Sequence, residues 1–92
     1  MLDLTRITPR FPLGRTVATP SVLATGVNLQ MLLWRHHRGD WGDLSAEDAK
    51  LNDQAIGEGG RLLSAYLTPA GKIYVVTEWD RSSTCCLLAN EY

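Results

Sequence analysis

The sequence predicts an α+β domain: two main helices packed on one face of a three- to four-stranded antiparallel sheet, in the order β-α-α-α-β-β-β. Three observations predict it. Apolar residues recur at helical spacing between Leu29 and His36 and again between Leu51 and Ile56. The period shortens to two in the last third of the chain. Thr68-Pro69-Ala70-Gly71 then reads as a hairpin turn between two of the resulting strands.

The elements follow in order. Residues 1–12 hold Pro9 and Pro12 and no sustained period, so they are expected to form a flexible N-terminal arm, with 13–92 as one domain. Arg15–Thr19 reads as a short strand at a sheet edge. Thr19-Pro20 opens a short helix, with Thr as cap and Pro at the first helical position, and Gly26 closes it. Asn28 caps the next helix, expected over Asn28–Arg38. Leu29, Leu32, Leu33 and His36 share one of its faces, and Met31 and Trp34 are expected to widen the buried surface. Arg35, His36, His37 and Arg38 place positive charge in its last turn, where the dipole favours it, and Gly39 ends it.

Ser45, with Asp48 three residues on, starts the third helix, expected over Ser45–Gly57. Leu51, Ala55 and Ile56 supply its inward stripe, with Asp48 and Asn52 along one edge. The strands are expected at Arg61–Leu67, Lys72–Trp79 and Ser83–Ala89. In the middle one, Ile73, Val75, Thr77 and Trp79 share a face, expected to be core, while Tyr74, Val76 and Glu78 point the other way.

Ninety-two residues with 45% apolar and 21% charged side chains describe one small globular domain. The formal net charge of −1 disfavours a dedicated nucleic-acid binder. No apolar run approaches the roughly 18–20 residues needed to span a bilayer, and the N-terminus shows no secretory signal, so a cytoplasmic protein without a membrane role is expected. Cys85 and Cys86 are adjacent, which suits opposite faces of a strand and not the spacing of a zinc or redox site.

Polar chemistry is densest at His36-His37-Arg38-Gly39-Asp40-Trp41-Gly42-Asp43-Leu44. Asp40 and Asp43 are expected to accept hydrogen bonds from backbone amides or from neighbouring His, Arg or Asn52 side chains, pinning two helix ends. Trp41 reads as a lid over the core or as a contact residue for a partner. The candidate binding residues are Asp40, Trp41, Asp43 and Arg81. No metal site is expected, because His36 and His37 lie about 100° apart on a helix and the acid spacing fits no Ca²⁺ loop. Nor is a cofactor expected: the glycines at 57, 59 and 60 end a helix, whereas phosphate loops sit at helix starts. An acid–base enzyme would draw on His37, Glu78 and Arg81, provided they converge. A nucleic-acid edge would draw on Arg6, Arg10, Arg15, Arg35 and Arg38, opposed by the acidic third helix.

Taken together, Gly39–Leu44, Gly60–Tyr66, Thr77-Glu78, Asp80–Thr84, Thr19-Pro20, Asn52 and the terminal Glu91-Tyr92 resemble a family of small "plasmid-related" proteins of bacterial plasmids and integrative elements. The resemblance implies a bacterial cytosolic protein carried by mobile DNA. It implies no activity, and so no catalytic residues. The chain departs from that pattern at Cys85-Cys86, where polar or β-branched residues are expected, and at Ala89-Asn90, where a proline-containing turn is expected. The function expected is therefore that of a small non-catalytic protein-binding accessory protein. An inhibitor of host defence, of anti-CRISPR or anti-restriction type, is one form. The alternatives are a toxin-like nuclease or other hydrolase, and a nucleic-acid-binding accessory factor. The oligomeric state is left open.

Overall fold

The structure, a computed structural model, describes residues 9–92. Strand β1 (Arg15–Ala18) leads into helices α1 (Pro20–Ala24), α2 (Leu29–His37) and α3 (Ala46–Glu58). Strands β2 (Leu62–Thr68), β3 (Gly71–Thr77) and β4 (Ser83–Leu88) follow, and a 3₁₀ turn (Ala89–Glu91) ends the chain. The α+β class is as expected. Thr19, Asn28 and Ser45 cap the three helices, each accepting a hydrogen bond from an amide three residues on.

The sheet runs β1-β4-β3-β2. β2, β3 and β4 form the expected antiparallel meander, with Leu62 opposite Thr77 and Val75 opposite Cys86. β1 is at the edge, but it pairs with β4 in parallel, so the sheet is mixed and not wholly antiparallel. The reason is topological. All three helices and the hairpin intervene between β1 and β4, and that length of chain permits a parallel return.

This register sorts the side chains onto two faces. The inner face carries Leu62, Ser64, Tyr66, Ile73, Val75, Thr77, Thr84 and Cys86, all buried. Its main cluster joins Val22 of α1 and Leu32 of α2 to Tyr66, Ile73, Val75 and Cys86. A second cluster gathers Phe11, Trp41 and Leu62 against Leu44, Ala49 and Ile56.

Four expectations are corrected by this packing. Phe11 falls in the segment read as a loose arm, yet it is buried, and the Arg10 amide donates to the His37 carbonyl at 3.0 Å. The aromatic side chain supplies core volume that a thin domain needs. The rest of that arm, residues 1–8, lies outside the described residues. Met31 and Trp34 are about half exposed, because α2 buries only the Leu29, Leu32, Leu33 and His36 stripe. The Arg38 guanidinium instead covers the Trp34 ring at 4.2 Å. Leu51 is exposed while Asn52 is buried, so α3 is rotated from the expected phase to aim an amide at β2. Trp79 is 69% exposed, because β3 ends at Thr77 and the chain has begun its turn before the indole.

Among the described residues, no helix is long and apolar enough to cross a membrane.

Candidate functional site

The Gly39–Leu44 loop is held from within. Asp40 accepts from Arg35 Nε at 2.7 Å, Arg35 Nη2 at 3.3 Å and the Gly42 amide at 3.2 Å. Arg38 Nη2 lies 3.8 Å from the same carboxylate. Partial burial pushes this carboxyl upward, but the bonds from Arg35 and Gly42 and the two nearby cations outweigh it, leaving the group below its ordinary value. Tyr66 Oη donates to the Asp40 carbonyl at 2.6 Å, and the Arg35 guanidinium lies 4.5 Å over the Tyr66 ring. Trp41 is the lid of the two readings. It is buried, stacks on Phe11 at 5.9 Å and donates its Nε1–H to Asp53 at 3.1 Å.

The same loop seals a sheet edge. The outer edge of β2 would present unpaired amides and carbonyls, an invitation to another strand. The Ala65 amide donates to the Trp41 carbonyl at 3.1 Å, and the Asp43 amide donates to the Ala65 carbonyl at 2.6 Å. Asp43 Oδ2 accepts from the Leu67 amide at 3.0 Å. Asn52 completes the seal: its Nδ2 donates to the Leu63 carbonyl at 2.8 Å and its Oδ1 accepts from the Leu63 amide at 3.3 Å. Gly42 makes the close approach workable. Its φ is +75°, and a Cβ there would collide with the Ala65 carbonyl and the Tyr66 ring.

His36 anchors a buried polar chain. It has no exposed surface; Nδ1 lies 2.5 Å from Ser64 Oγ and Nε2 lies 2.9 Å from Thr77 Oγ1. Thr77 Oγ1 is 2.7 Å from Thr84 Oγ1, which in turn donates to the Leu13 carbonyl at 2.7 Å. The terminal carbonyl can only accept, so it sets the direction of the protons back to the ring: Thr84 donates outward, Thr77 donates to Thr84, and Nε2–H donates to Thr77. Burial then favours the neutral ring, whose Nδ1 accepts from the Ser64 hydroxyl. Burial, helped by the neighbouring His37, pushes the ring's pKa down from 6.5 to about 3.

The residues named for an acid–base centre do not gather. His37 meets the edge of the Phe11 ring at 5.9 Å. Glu78 pairs with Arg61 at 3.1 Å on the far side of the sheet. Arg81, with φ of 62°, turns its guanidinium onto the carbonyls of Gly60 (2.6 Å), Ala55 (2.7 Å), Glu78 (3.1 Å) and Trp79 (3.3 Å). It ties the C-terminal end of α3 to the β3–β4 turn, where a cation also suits the helix dipole. Of the basic edge, Arg10 is paired with Asp53, and Arg35 and Arg38 with Asp40. Arg6 lies outside the described residues. Among the described residues, no group of three or more His, Cys, Asp or Glu side chains is placed to hold a metal.

The outer face of the sheet is the surface that the internal bonding leaves available. Leu63, Ala65 and Leu67 of β2, Tyr74 and Val76 of β3, and Cys85 and Leu87 of β4 all point there, and no member of either core cluster does. Leu67 is 67% exposed at its margin, while Ala65 and Val76 are buried at its centre. Arg61 and Glu78 bound the face at one end. Tyr92 lies against it, its ring 5.5 Å from that of Tyr74 and its hydroxyl accepting from Arg61 at 3.1 Å. A cavity of about 240 Å³ opens separately beside β1, lined by Thr16, Val17, Ala18, Leu23, Leu29, Leu33 and Cys86. Sequence reading passed over the outer face, although one sign of it was present. Val76 and Tyr74 are apolar on the side opposite Ile73 and Val75, the mark of a strand apolar on both faces. Comparison with protein-family models, with curated proteins and with solved structures finds no match for this chain.

Proposed function

We propose that this protein is a small non-catalytic binding module whose working surface is the outer face of its sheet. The observation that carries the reading is the apolar character of that face. A solvated sheet face is ordinarily polar, giving strands that alternate in character. Here Leu63, Leu67, Tyr74, Val76 and Leu87 all turn outward, with Arg61 and Glu78 at the rim. Apolar patches edged by charge mark contact surfaces on soluble proteins. The partner that fits is a protein presenting a flat apolar surface with mixed charge around it. Asp40, Asp43 and Arg81 support this reading indirectly, since each is committed to internal bonds and Trp41 is a lid. The resemblance to plasmid-borne proteins directs the search toward bacterial host-defence complexes.

The test compares the native chain with Leu67→Glu, a change at an exposed position that leaves the core alone. Both are used as bait in a bacterial lysate, and a protein retained by the native chain alone is then purified and titrated by calorimetry. A specific complex with negative heat-capacity change is the expected result. Equal retention by both baits overturns the proposal. So does a nuclease activity that His37→Ala abolishes.

A further inference from the structure

We infer that the free edge of β1 is a dimerisation edge, at which a second copy of this chain adds its own β1 in antiparallel fashion to make one continuous eight-stranded sheet. The two edges of the sheet are treated differently by this sequence. Along β2, from Leu63 to Leu67, the outward amides and carbonyls are met by Asn52, Trp41 and Asp43. Along β1 none of these devices appears among the described residues. The Arg15 amide donates to the Ser82 carbonyl and the Thr19 amide to the Cys86 carbonyl, both within the sheet. In a parallel ladder this phase turns the amides and carbonyls of Thr16 and Ala18 outward.

That pattern is complementary to itself. Set two β1 strands antiparallel about a two-fold axis through Val17, and Thr16 faces Ala18 of the second copy while Ala18 faces its Thr16. All four outward amides then find a carbonyl and all four carbonyls an amide, so the ring of bonds closes with nothing left over. No like charges oppose each other, because Arg15 falls beside Thr19 of the second copy. Val17, 40% exposed, meets its own symmetry mate on the outer face at a Cα separation of about 4.5 Å. The apolar grooves containing Leu23, 60% exposed, come to flank the axis on the inner face. A heterologous strand would satisfy the backbone equally; a second copy also pairs the exposed Val17 with itself and sets the two Leu23 grooves side by side.

The inference is independent of the proposed function, though the dimer would set two outer faces on the same side of one sheet. Analytical ultracentrifugation over a concentration series tests it. The native chain is expected to dimerise, and Val17→Glu and Val17→Lys alone are each expected to weaken the dimer at least about tenfold, through like charges facing across the axis. Mixing the two variants is expected to restore a heterodimer, which an interface elsewhere would not do. Thr16→Pro removes an outward amide that the monomer's ladder does not use, and is expected to weaken the dimer while circular dichroism is unchanged. Leu67→Glu is expected to dimerise as the native chain does. A native chain that stays monomeric at high concentration overturns the inference. A native dimer that Val17→Glu leaves intact, or charge variants that do not recombine, also overturns it.

Discussion

Acid should weaken this protein chiefly through one residue, His36. The perturbation is a fall from about pH 7 to about pH 4.5, applied to the native chain and to His36→Gln. His36 is fully buried between Ser64 and Thr77, where the charged imidazolium would be shut away from water, and the chain ending at Leu13 places the neutral ring's proton on Nε2. Its pKa is lowered from 6.5 to about 3 in the folded protein, with burial the main cause. The unfolded chain therefore takes up the proton first as pH falls. The stabilisation is complete above the unfolded value, fades as pH drops below it, and is exhausted once pH reaches the folded value. Each pH unit in that window costs about 1.4 kcal/mol, so at about pH 4.5 the loss is roughly 3 kcal/mol. A domain of this length has a total stability on the order of 5–14 kcal/mol, so the loss is a substantial fraction of it.

Urea unfolding at the two pH values measures the effect in both proteins. Carboxylates whose values are lowered in the fold, Asp40 among them, weaken both proteins in acid and cancel in the comparison. His36→Gln should be less stable near neutrality, because an amide cannot reproduce the ring's contacts with Phe11 and Trp41. Its stability should nevertheless fall with pH less steeply, by roughly 3 kcal/mol over the interval. Should the variant fail to fold, nitrogen NMR of the native protein decides: neutral imidazole protonated at Nε2 is expected throughout. Equal acid sensitivity in the two proteins, or an Nδ1–H tautomer, would refute the reasoning.

Three further predictions concern the clamps. Arg81→Ala should destabilise by roughly 3 kcal/mol through the loss of its carbonyl contacts, and Arg81→Gly by about 1 kcal/mol less, because glycine relieves the left-handed backbone. Denaturant titration of the pair measures the difference. Gly42→Ala should cost more than about 3 kcal/mol, since the added Cβ meets the Ala65 carbonyl and Tyr66 ring, and a thermal melt near the native one would contradict this. Asn52→Ala should cost about 2 kcal/mol and Asn52→Asp at least as much, because a carboxylate cannot donate to the Leu63 carbonyl; hydrogen exchange at Leu63 should quicken in both.

Local rules made much of this fold legible. Thr19, Asn28 and Ser45 cap the helices they were expected to cap, and the Pro69-Ala70 turn joins the expected hairpin. What was not legible depends on partners distant in sequence. Apolar spacing predicts a phase of α3 that buries Leu51, but the helix buries Asn52 instead, because an amide facing the backbone of a bare strand edge outweighs one more leucine. Strand alternation predicts a core Trp79 only if it continues two residues past Thr77, and Thr77 is the last paired position. The polar chain from Ser64 to Leu13 links residues from β2, α2, β3, β4 and the segment before β1. No local pattern places His36 opposite Thr77.

The Gly39–Leu44 loop also shows why density of polar groups is a poor guide to ligand sites in a domain this small. With a thin core, a hairpin edge such as β2 cannot be hidden under a helix along its whole length, and its backbone must be satisfied by something short. Asp43 and the Trp41 carbonyl do this, and Asp40 holds them in register by gathering Arg35, Arg38 and the Gly42 amide. A carboxylate used in this way must give up its freedom to bind anything else. The side chains that carry no such commitment are instead apolar ones at alternating strand positions, the exposed Leu67 among them. Such side chains leave no hydrogen bond unsatisfied in water, and they contribute stability only where water is displaced from them.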